Sequence, residues 1–344
     1  MLVGNSLWID NVTNLNFLCF FFGGRGIAVS RLLCSLAVPD GATDTITVGE
    51  SAVPMNYSVV LAEGCGAGSA ELDEVQEAIA WTSAWYAARY RLQKSDGYPY
   101  LTETEHQLIQ DRLRNMRVVL SVAPFVDLYR EVLAGNLHLR KPLKPGYELN
   151  DREVKRLRRA SKDLVGFHSP VVKEPNVFIN PLELLHANLR WEESRAETVY
   201  GRLSKAVVHE LTHAVTSGMR QDRVVEQCLN PLTRQWNDGQ FDNPNEIYAR
   251  VMELRYSLRV EPGHLFTLKE VRALRARAEQ DTKAYKQEVK GIGKVRIKSL
   301  RDLPVKGRIL DHQLFIRYTD EEIMRLLNDL ADWPIRSRCL DSEI

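Results

Sequence analysis

The chain has 344 residues, 46 Lys and Arg against 45 Asp and Glu, and a formal net charge of +1. This length corresponds to about two domains of ordinary size, and the apolar fraction of 44% supplies enough material for a sizeable core. The composition excludes collagen, coiled coil and global disorder, and the near-neutral charge argues against a dedicated nucleic-acid-binding protein, which usually has a strong basic excess.

The first 68 residues predict a leader or a small β region. Residues 45–48 and 57–61 are short runs rich in β-branched and apolar side chains, which favours strands. Residues 17–22 form an apolar run that is too short to span a membrane, and no Lys or Arg precedes it, as a signal peptide would require. The five cysteines are scattered and form no Cys-x-x-Cys pair. These features favour a cytoplasmic or particle-associated protein over a secreted one.

Residues 69–145 are predicted to form a helical region. Residues 71–93 carry apolar side chains at helical spacing. Thr102 and Glu105 have the spacing of a capping box, which predicts the start of a second helix that extends to about residue 122. This region is expected either to form a separate unit or to pack onto the one that follows.

A linker at 141–146, Lys-Pro-Leu-Lys-Pro-Gly, precedes the third predicted region, 146–270. Within that region, the basic residues of 151–162 are interpreted as a solvated helix face rather than a phosphate or nucleic-acid site. Residues 171–179 are predicted to form a strand broken by Pro175, and the proline favours an edge position.

Two later segments carry the same signal for the start of a helix. Asn180-Pro-Leu-Glu183 and Asn243-Pro-Asn-Glu246 each place Asn at the N-cap, Pro at N1 and Glu at N3. A helix from about 197 to 217 is predicted between them.

The last predicted region, 271–344, is basic and helical. Residues 283–308 carry nine basic and two acidic side chains. Thr319 and Glu322 form a capping-box pattern that begins the final helix. We see no internal repeat and no low-complexity segment.

The motif that carries chemistry is His-Glu-x-x-His at 209–213, on the predicted helix at 197–217. Four residues turn an α-helix by about 400° and raise it by about 6 Å, so His209 and His213 project from one face and can bind one zinc ion. Glu210 is placed to accept a proton from water held by that ion, since zinc lowers the pKa of such water to about 7. The motif therefore predicts a zinc hydrolase site.

The segment at 206–216 resembles the active helix of the thermolysin-like metallopeptidases, within the glutamate-zincin group. In that family a later helix carries Asn-Glu, whose Glu is the third zinc ligand, and Asn245-Glu246 stands at such a helix start. The resemblance covers about 50 of the 344 residues. It implies a zincin-like catalytic domain that binds Zn²⁺ and cleaves peptide or protein substrates.

The ligand set implied by the resemblance is His209, His213 and Glu246, with Glu210 as the base. The chain departs from the family in two respects. The loop between His213 and Glu246 is longer than in the thermolysin-like pattern. The family has an Asp one turn beyond the glutamate ligand that orients a ligating histidine, and Arg250 occupies that position here.

The third ligand remains open on the residues alone. Glu246 occupies the N3 position of its helix and can instead close a capping box. Glu253 is seven residues further, about 20° from Glu246 around the helix, and is the fallback ligand. Glu226 is a second and weaker alternative.

A transition-state stabiliser is expected to be a Tyr, His or Arg near the metal. The sequence does not rank the candidates, which are Tyr248, Tyr256, His264 and His312. In zincins an edge strand near the metal commonly pairs with an extended substrate, and residues 176–179 are the candidate for that role.

These observations predict an α+β, mainly helical protein with a small sheet, the motif helix and a C-terminal helical lobe. The expected function is zinc-dependent peptide hydrolysis. One alternative is a zincin-fold component of a larger assembly, such as a phage or secretion particle, with a structural or dormant metal site. A third is a nucleic-acid-associated protein that uses 283–308. The sequence indicates no oligomeric state.

Overall fold

A computed structural model describes residues 57–62, 65, 69–96, 102–162, 164–190, 203–219, 244–261, 264–292 and 312–329. The predicted strand at 45–48, the alternative ligand Glu226 and the basic residues of 293–308 lie outside these ranges. Among the described helices, none combines the length and the apolar character needed to cross a bilayer.

The described strands form one four-stranded sheet. The strands are β1 (Ser58–Leu61), β2 (Arg117–Leu120), β3 (Gly166–Phe167) and β4 (Asn176–Ile179). Their order is β1-β2-β4-β3, with β1, β2 and β4 parallel and β3 antiparallel to β4. The sheet therefore combines strands from the first three regions predicted from the sequence.

Ten helices lie within the described residues. They are α1 (Ser69–Asp96), α2 (Glu103–Arg114), α3 (Pro124–Leu133), α4 (Asp151–Ala160), α5 (Pro181–Arg190), α6 (Leu203–Thr216), α7 (Pro244–Leu258), α8 (Leu268–Ile292), α9 (His312–Arg317) and α10 (Asp320–Asp329). Helix α6 packs on β3 and β4 and against α1, α2 and α7, while α3 packs on the opposite face of β4 and against α4. The protein is α+β and mainly helical, as the sequence predicts.

Alternation along the strands separates two cores. Val118 and Ile179 belong to the core on the α6 side of the sheet. Val119 and Phe178, the next residues along each strand, pack with Leu128 of α3 in the core on the other side. Since both faces of β2 and β4 are buried, these strands consist largely of apolar residues.

Strand β2 corrects the prediction that the second helix extends to about residue 122. Helix α2 begins with the predicted capping box of Thr102 and Glu105, but it ends after Arg114 with Asn115 as its C-cap. The chain from Arg117 onward is paired with a strand on each side. The β-branched pair Val-Val suits this environment, but the pairing that decides it is distant in sequence.

The prediction that residues 176–179 form an edge strand is also wrong, because β4 lies between β2 and β3. Pro175 precedes the first residue of β4, and its carbonyl accepts a hydrogen bond from the Arg117 backbone N–H at 3.0 Å. The proline therefore lies just before the strand, where its lack of an N–H removes no hydrogen bond from the sheet. Among the described strands, β3 is the edge on this side of the sheet, with Gly166 opposite Ile179.

Contacts at both ends fix the position of α6. At its N-terminal end, the backbone N–H of Ser204 donates to the Glu74 carboxylate of α1 at 3.0 Å. At its C-terminal end, the Arg112 guanidinium of α2 donates to the carbonyls of Val215 (2.8 Å) and Ser217 (2.9 Å). The last carbonyls of an α-helix lack partners one turn further on, so a cation at this end supplies a donor and complements the helix dipole.

The C-terminal helices pack behind α7. Arg255 of α7 is fully buried and donates to the carbonyl of Leu327 in α10 at 3.0 Å. Arg275 of α8 donates to the carbonyl of Tyr318 at 2.8 Å and pairs with Asp320 at 2.6 Å. This arrangement holds α7 between α6 and the C-terminal helices.

Candidate metal centre

Two helices bring together the three predicted ligands. His209 and His213 come from α6, and Glu246 comes from the first turn of α7. Nε2 of His209 lies 3.1 Å from Nε2 of His213 and 3.2 Å from Oε2 of Glu246. Nε2 of His213 lies 3.3 Å from Oε1 of Glu246. The three side chains can therefore each offer one ligand atom to a common point, with these atoms within 4.8 Å of one another.

The spacing of these atoms fits a tetrahedral metal ion. Zinc–nitrogen and zinc–oxygen bonds of about 2.0–2.1 Å at tetrahedral angles place neighbouring ligand atoms about 3.3–3.4 Å apart. The separation of 3.1 Å between the two Nε2 atoms is close to this value, and each Nε2 lies 3.2 or 3.3 Å from one of the two oxygens of Glu246. Two histidines and one glutamate also match the donor set of catalytic zinc sites, which leave a fourth position open.

Glu246 is at N3 of α7, and its side chain is 30% exposed. Both of its carboxylate oxygens face imidazole nitrogens, which favours the ligand role over the capping role. The matching segment in α5 caps its helix as expected, since the Glu183 backbone N–H donates to Oδ1 of Asn180 at 3.0 Å.

Glu253 occupies a different position from that expected of a fallback ligand. Its Oε1 lies 2.5 Å from Nδ1 of His209, on the side of the ring away from the cluster. The carboxylate is an acceptor, so Nδ1 of His209 donates to it, and Nε2 is the nitrogen that faces Glu246 and His213. Glu253 thus orients the His209 ring, as an outer carboxylate partner commonly does for a ligating histidine.

The Glu253 carboxylate is fully buried and lies among cations. Nζ of Lys205, one turn before His209 on α6, is 3.8 Å from its Oε2. Burial opposes ionisation, but the hydrogen bond with His209 and the charges of His209, Lys205 and Arg250 keep the pKa of Glu253 below its usual value. A charged acceptor is therefore maintained behind His209.

The remaining groups of the cluster have pKa values that suit a cation. Burial would lower the pKa of His209, but hydrogen bonds and charges from Glu246 and Glu253 outweigh burial and raise it to about 10. Burial opposes ionisation of Glu246, yet the two histidines hold its pKa well below the usual range. The cluster therefore stabilises positive charge at its centre.

Glu210 lies between the cluster and the edge strand. A Cβ atom on Gly166 would lie 3.0 Å from Cγ and 3.2 Å from Oε1 of Glu210, so the glycine leaves room for this carboxylate. Burial raises the pKa of Glu210, and the charges of Glu246 and Glu253 add to the rise while the two histidines oppose it. A raised pKa suits a carboxylate that must accept and return a proton near neutral pH.

The candidates for transition-state stabilisation have other contacts. The Tyr248 hydroxyl lies 3.2 Å from that of Tyr86 in α1, and the Tyr256 ring packs edge-on against Trp81 at 5.2 Å. His264 packs against Phe266, with Nε2 lying 3.3 Å from Glu270. The backbone of His312 begins α9, but its side chain is outside the described part of the structure. None of these contacts connects a candidate to the histidine–glutamate cluster.

Sequence reasoning missed three residues near the cluster: Lys205, Gly166 and His168. Lys205 had a usable signal, since a lysine one turn before the first histidine lies on the same side of the helix. Gly166 and His168 had none, because their place beside α6 depends on the pairing of β3 with β4. His168 follows β3, and its Nδ1 lies 3.2 Å from the carbonyl oxygen of Asn176.

Comparisons of this chain with protein-family models, with curated proteins and with solved structures each give no match. Functional inference therefore rests on the geometry and chemistry of the cluster.

Proposed function

We propose that this protein is a zinc-dependent peptidase of the glutamate-zincin type. The observation that carries the proposal is the convergence of Nε2 of His209, Nε2 of His213 and the Glu246 carboxylate at separations of 3.1–3.3 Å. Glu210 stands beside this cluster as a carboxylate with a raised pKa. Three ligands with an adjacent base are the parts that metal-assisted hydrolysis needs.

His209, His213 and Glu246 would hold the ion. When bound, zinc would lower the pKa of a water molecule to about 7 and polarise the carbonyl of the peptide bond to be cleaved. Glu253 keeps the Nδ1 proton on His209, so the Nε2 lone pair stays directed at the centre. The fit of the donor set is the reason for naming zinc rather than magnesium or calcium, which prefer oxygen ligands.

Glu210 supplies the proton transfers. Its carboxylate accepts a proton from the attacking water as the new carbon–oxygen bond forms. The protonated carboxyl then donates that proton to the departing amine nitrogen as the carbon–nitrogen bond breaks. The raised pKa makes both transfers accessible near neutral pH.

The edge strand supplies a place for an extended substrate. Strand β3 pairs on one side with β4, and Gly166 in β3 lies against Glu210. A peptide that pairs with the other side of β3 would pass beside the cluster, which is the geometry of strand addition. This assignment replaces residues 176–179, which lie inside the sheet.

The test compares wild type with Glu210→Gln, which keeps the size of the side chain and removes its basicity. Zinc content is measured by mass spectrometry, and hydrolysis is measured on a quenched fluorescent peptide library. We expect equal zinc content and a loss of hydrolysis of at least 100-fold, the usual contribution of a general base. Glu105→Gln, in the exposed capping box of α2, is the control and should behave as wild type.

A wild-type protein that binds one zinc ion but cleaves no peptide in the library would contradict the peptidase proposal. It would then favour a structural or dormant metal site in an assembly component. Equal hydrolysis by wild type and Glu210→Gln would remove Glu210 from the mechanism.

A further inference from the structure

The two histidines of the cluster differ in what holds their second ring nitrogen. Nδ1 of His209 is fixed by Glu253 at 2.5 Å. His213 makes its contacts through Nε2, and within the described residues no hydrogen bond is made by its Nδ1. A histidine that binds a metal through Nε2 carries a proton on Nδ1, and that proton needs an acceptor.

His168 offers an acceptor of this kind. Its Nδ1 lies 3.2 Å from the carbonyl oxygen of Asn176. A carbonyl only accepts hydrogen bonds, so Nδ1 of His168 is the protonated nitrogen and Nε2 has a lone pair. This Nε2 atom is buried and has no hydrogen-bond partner among the described residues. A buried acceptor without a donor is costly, which points to a missing donor.

The strand geometry directs His168 toward α6. Gly166 lies against Glu210, whereas Phe167 stacks on Phe178 on the other face of the sheet. His168 directly follows β3 and bonds to Asn176 of β4, so it continues the alternation of the strand and is on the same face as Gly166.

The sheet sets the position of His168 along α6. Its partner Asn176 pairs with Arg117, the first residue of β2, which is separated from the end of α2 by two residues. Arg112 of α2 binds the carbonyls of Val215 and Ser217, so His168 lies at the level of the C-terminal turns of α6.

Burial is the main cause that lowers the pKa of His168, to about 4, and the charge of His213 adds to the lowering. The His168 imidazole is therefore neutral near pH 7. Glu210 and His213 are three residues apart and project from the same side of α6, and this is the side that β3 and His168 face.

We propose that His168 is a positioning residue for His213: its Nε2 accepts, through one bridging water molecule, the hydrogen bond donated by Nδ1–H of His213. The water satisfies both nitrogens. This inference rests on the proposed zinc site. It gives each histidine ligand its own outer partner, an anionic one for His209 and a neutral one for His213.

The test is the zinc dissociation constant of metal-free protein, measured by competition with a chromophoric chelator. Loss of an outer partner of a ligating histidine costs about 10–100-fold in metal affinity. We expect a loss of this size in His168→Ala. We expect at least partial recovery in His168→Gln, because its amide supplies an N–H for Asn176 and an oxygen that accepts from the water.

His106→Ala is the matched control. His106 is also a partly buried histidine, stacked on Tyr90 at 4.0 Å on α2, away from the cluster. Its zinc affinity should equal that of wild type. A spectroscopic measurement separates positioning from packing: in zinc-loaded protein with ¹⁵N-labelled histidine, the Nδ1 proton of His213 should exchange slowly in wild type and rapidly in His168→Ala.

Equal zinc affinity in wild type and His168→Ala would overturn this inference and leave the zinc site intact. An affinity in His168→Gln as low as in His168→Ala, together with an unchanged proton-exchange rate for His213, would overturn it in favour of simple packing. A wild type that binds no zinc would overturn both this inference and the proposed function.

Discussion

Helix α6 lies between two surroundings that differ in charge. On the α7 side, Glu246 and Glu253 face His209, and Lys205 lies 3.8 Å from Glu253. On the β3 side, Gly166 and the neutral imidazole of His168 face the helix. The charged side is suited to hold a cation and the neutral side to leave room for Glu210. Changes on the two sides should therefore separate metal affinity from catalysis.

The largest effect is expected from Glu246→Gln on the charged side. This change removes the charge of a proposed ligand, so zinc affinity should fall by more than the roughly 10–100-fold caused by the loss of an outer partner. Zinc content after dialysis against a weak chelator provides the measurement. Glu183→Gln, in the corresponding helix-start segment of α5, is the control. Full retention of zinc in Glu246→Gln would return Glu246 to a capping role.

The next effect is expected from Gly166→Ala on the neutral side. The added methyl group would lie 2.8 Å from Cδ1 of Ile179 and 3.0 Å from Cγ of Glu210, so both side chains must move. A displacement of about 1 Å at a catalytic group can cost about 100-fold in rate. We expect kcat for peptide hydrolysis to fall by about this factor with zinc affinity unchanged. A parallel loss of zinc would show that the two sides are not independent.

A smaller effect is expected from Glu253→Gln. The amide oxygen still accepts from Nδ1 of His209, but the negative charge is lost. Zinc affinity should therefore fall by about 10–100-fold, while one zinc ion per chain still binds at saturation. Titration calorimetry measures both the affinity and the number of bound ions. If Glu253→Gln binds no zinc even at high zinc concentration, Glu253 is a ligand. The assignment of Glu246 as a ligand and Glu253 as an outer partner would then be wrong.

The smallest effect concerns pH. The pKa of His168 is lowered to about 4 in the fold, against about 6.5 in an unfolded chain. Between these values the unfolded state binds the extra proton. His168 therefore contributes stability above pH 6.5 that is lost as pH falls toward 4.

At pH 5 this loss should be about 1–2 kcal/mol of unfolding free energy relative to pH 7.5. Urea denaturation of metal-free wild type and His168→Gln at both pH values measures the difference, since other titrating groups are common to both proteins. An identical pH dependence in the two proteins would mean that the His168 imidazole protonates freely in the fold.

Local signals predicted much of the helical structure. The capping box of Thr102 and Glu105 forms as expected, and so does that of Thr319 and Glu322. Gly218 follows α6 with a φ of +71°, a conformation that glycine adopts without strain. These features depend on residues within four positions of each other, so a single sequence is sufficient to find them.

The errors occurred where distant pairing decides the structure. Residues 117–120 continue the helical pattern of α2, yet they form an inner strand because β1 and β4 pair with them on both sides. The break at Pro175 indicated an edge, yet β3 takes the edge because it pairs antiparallel with β4. Neither pairing can be recognised from the residues next to the strand in the sequence.

The sequence by itself determined the placement of His209, Glu210 and His213, because the period of a helix fixes which side chains share a face. Tertiary structure alone decided the positions of the residues around them. Glu246 and Glu253 are about 20° apart around α7 and about two turns apart along it. The ring of His209 lies between them, so Glu246 faces its Nε2 and Glu253 faces its Nδ1. Which nitrogen of the ring each carboxylate reaches depends on how α6 and α7 pack together. That packing cannot be deduced from the sequence of either helix alone.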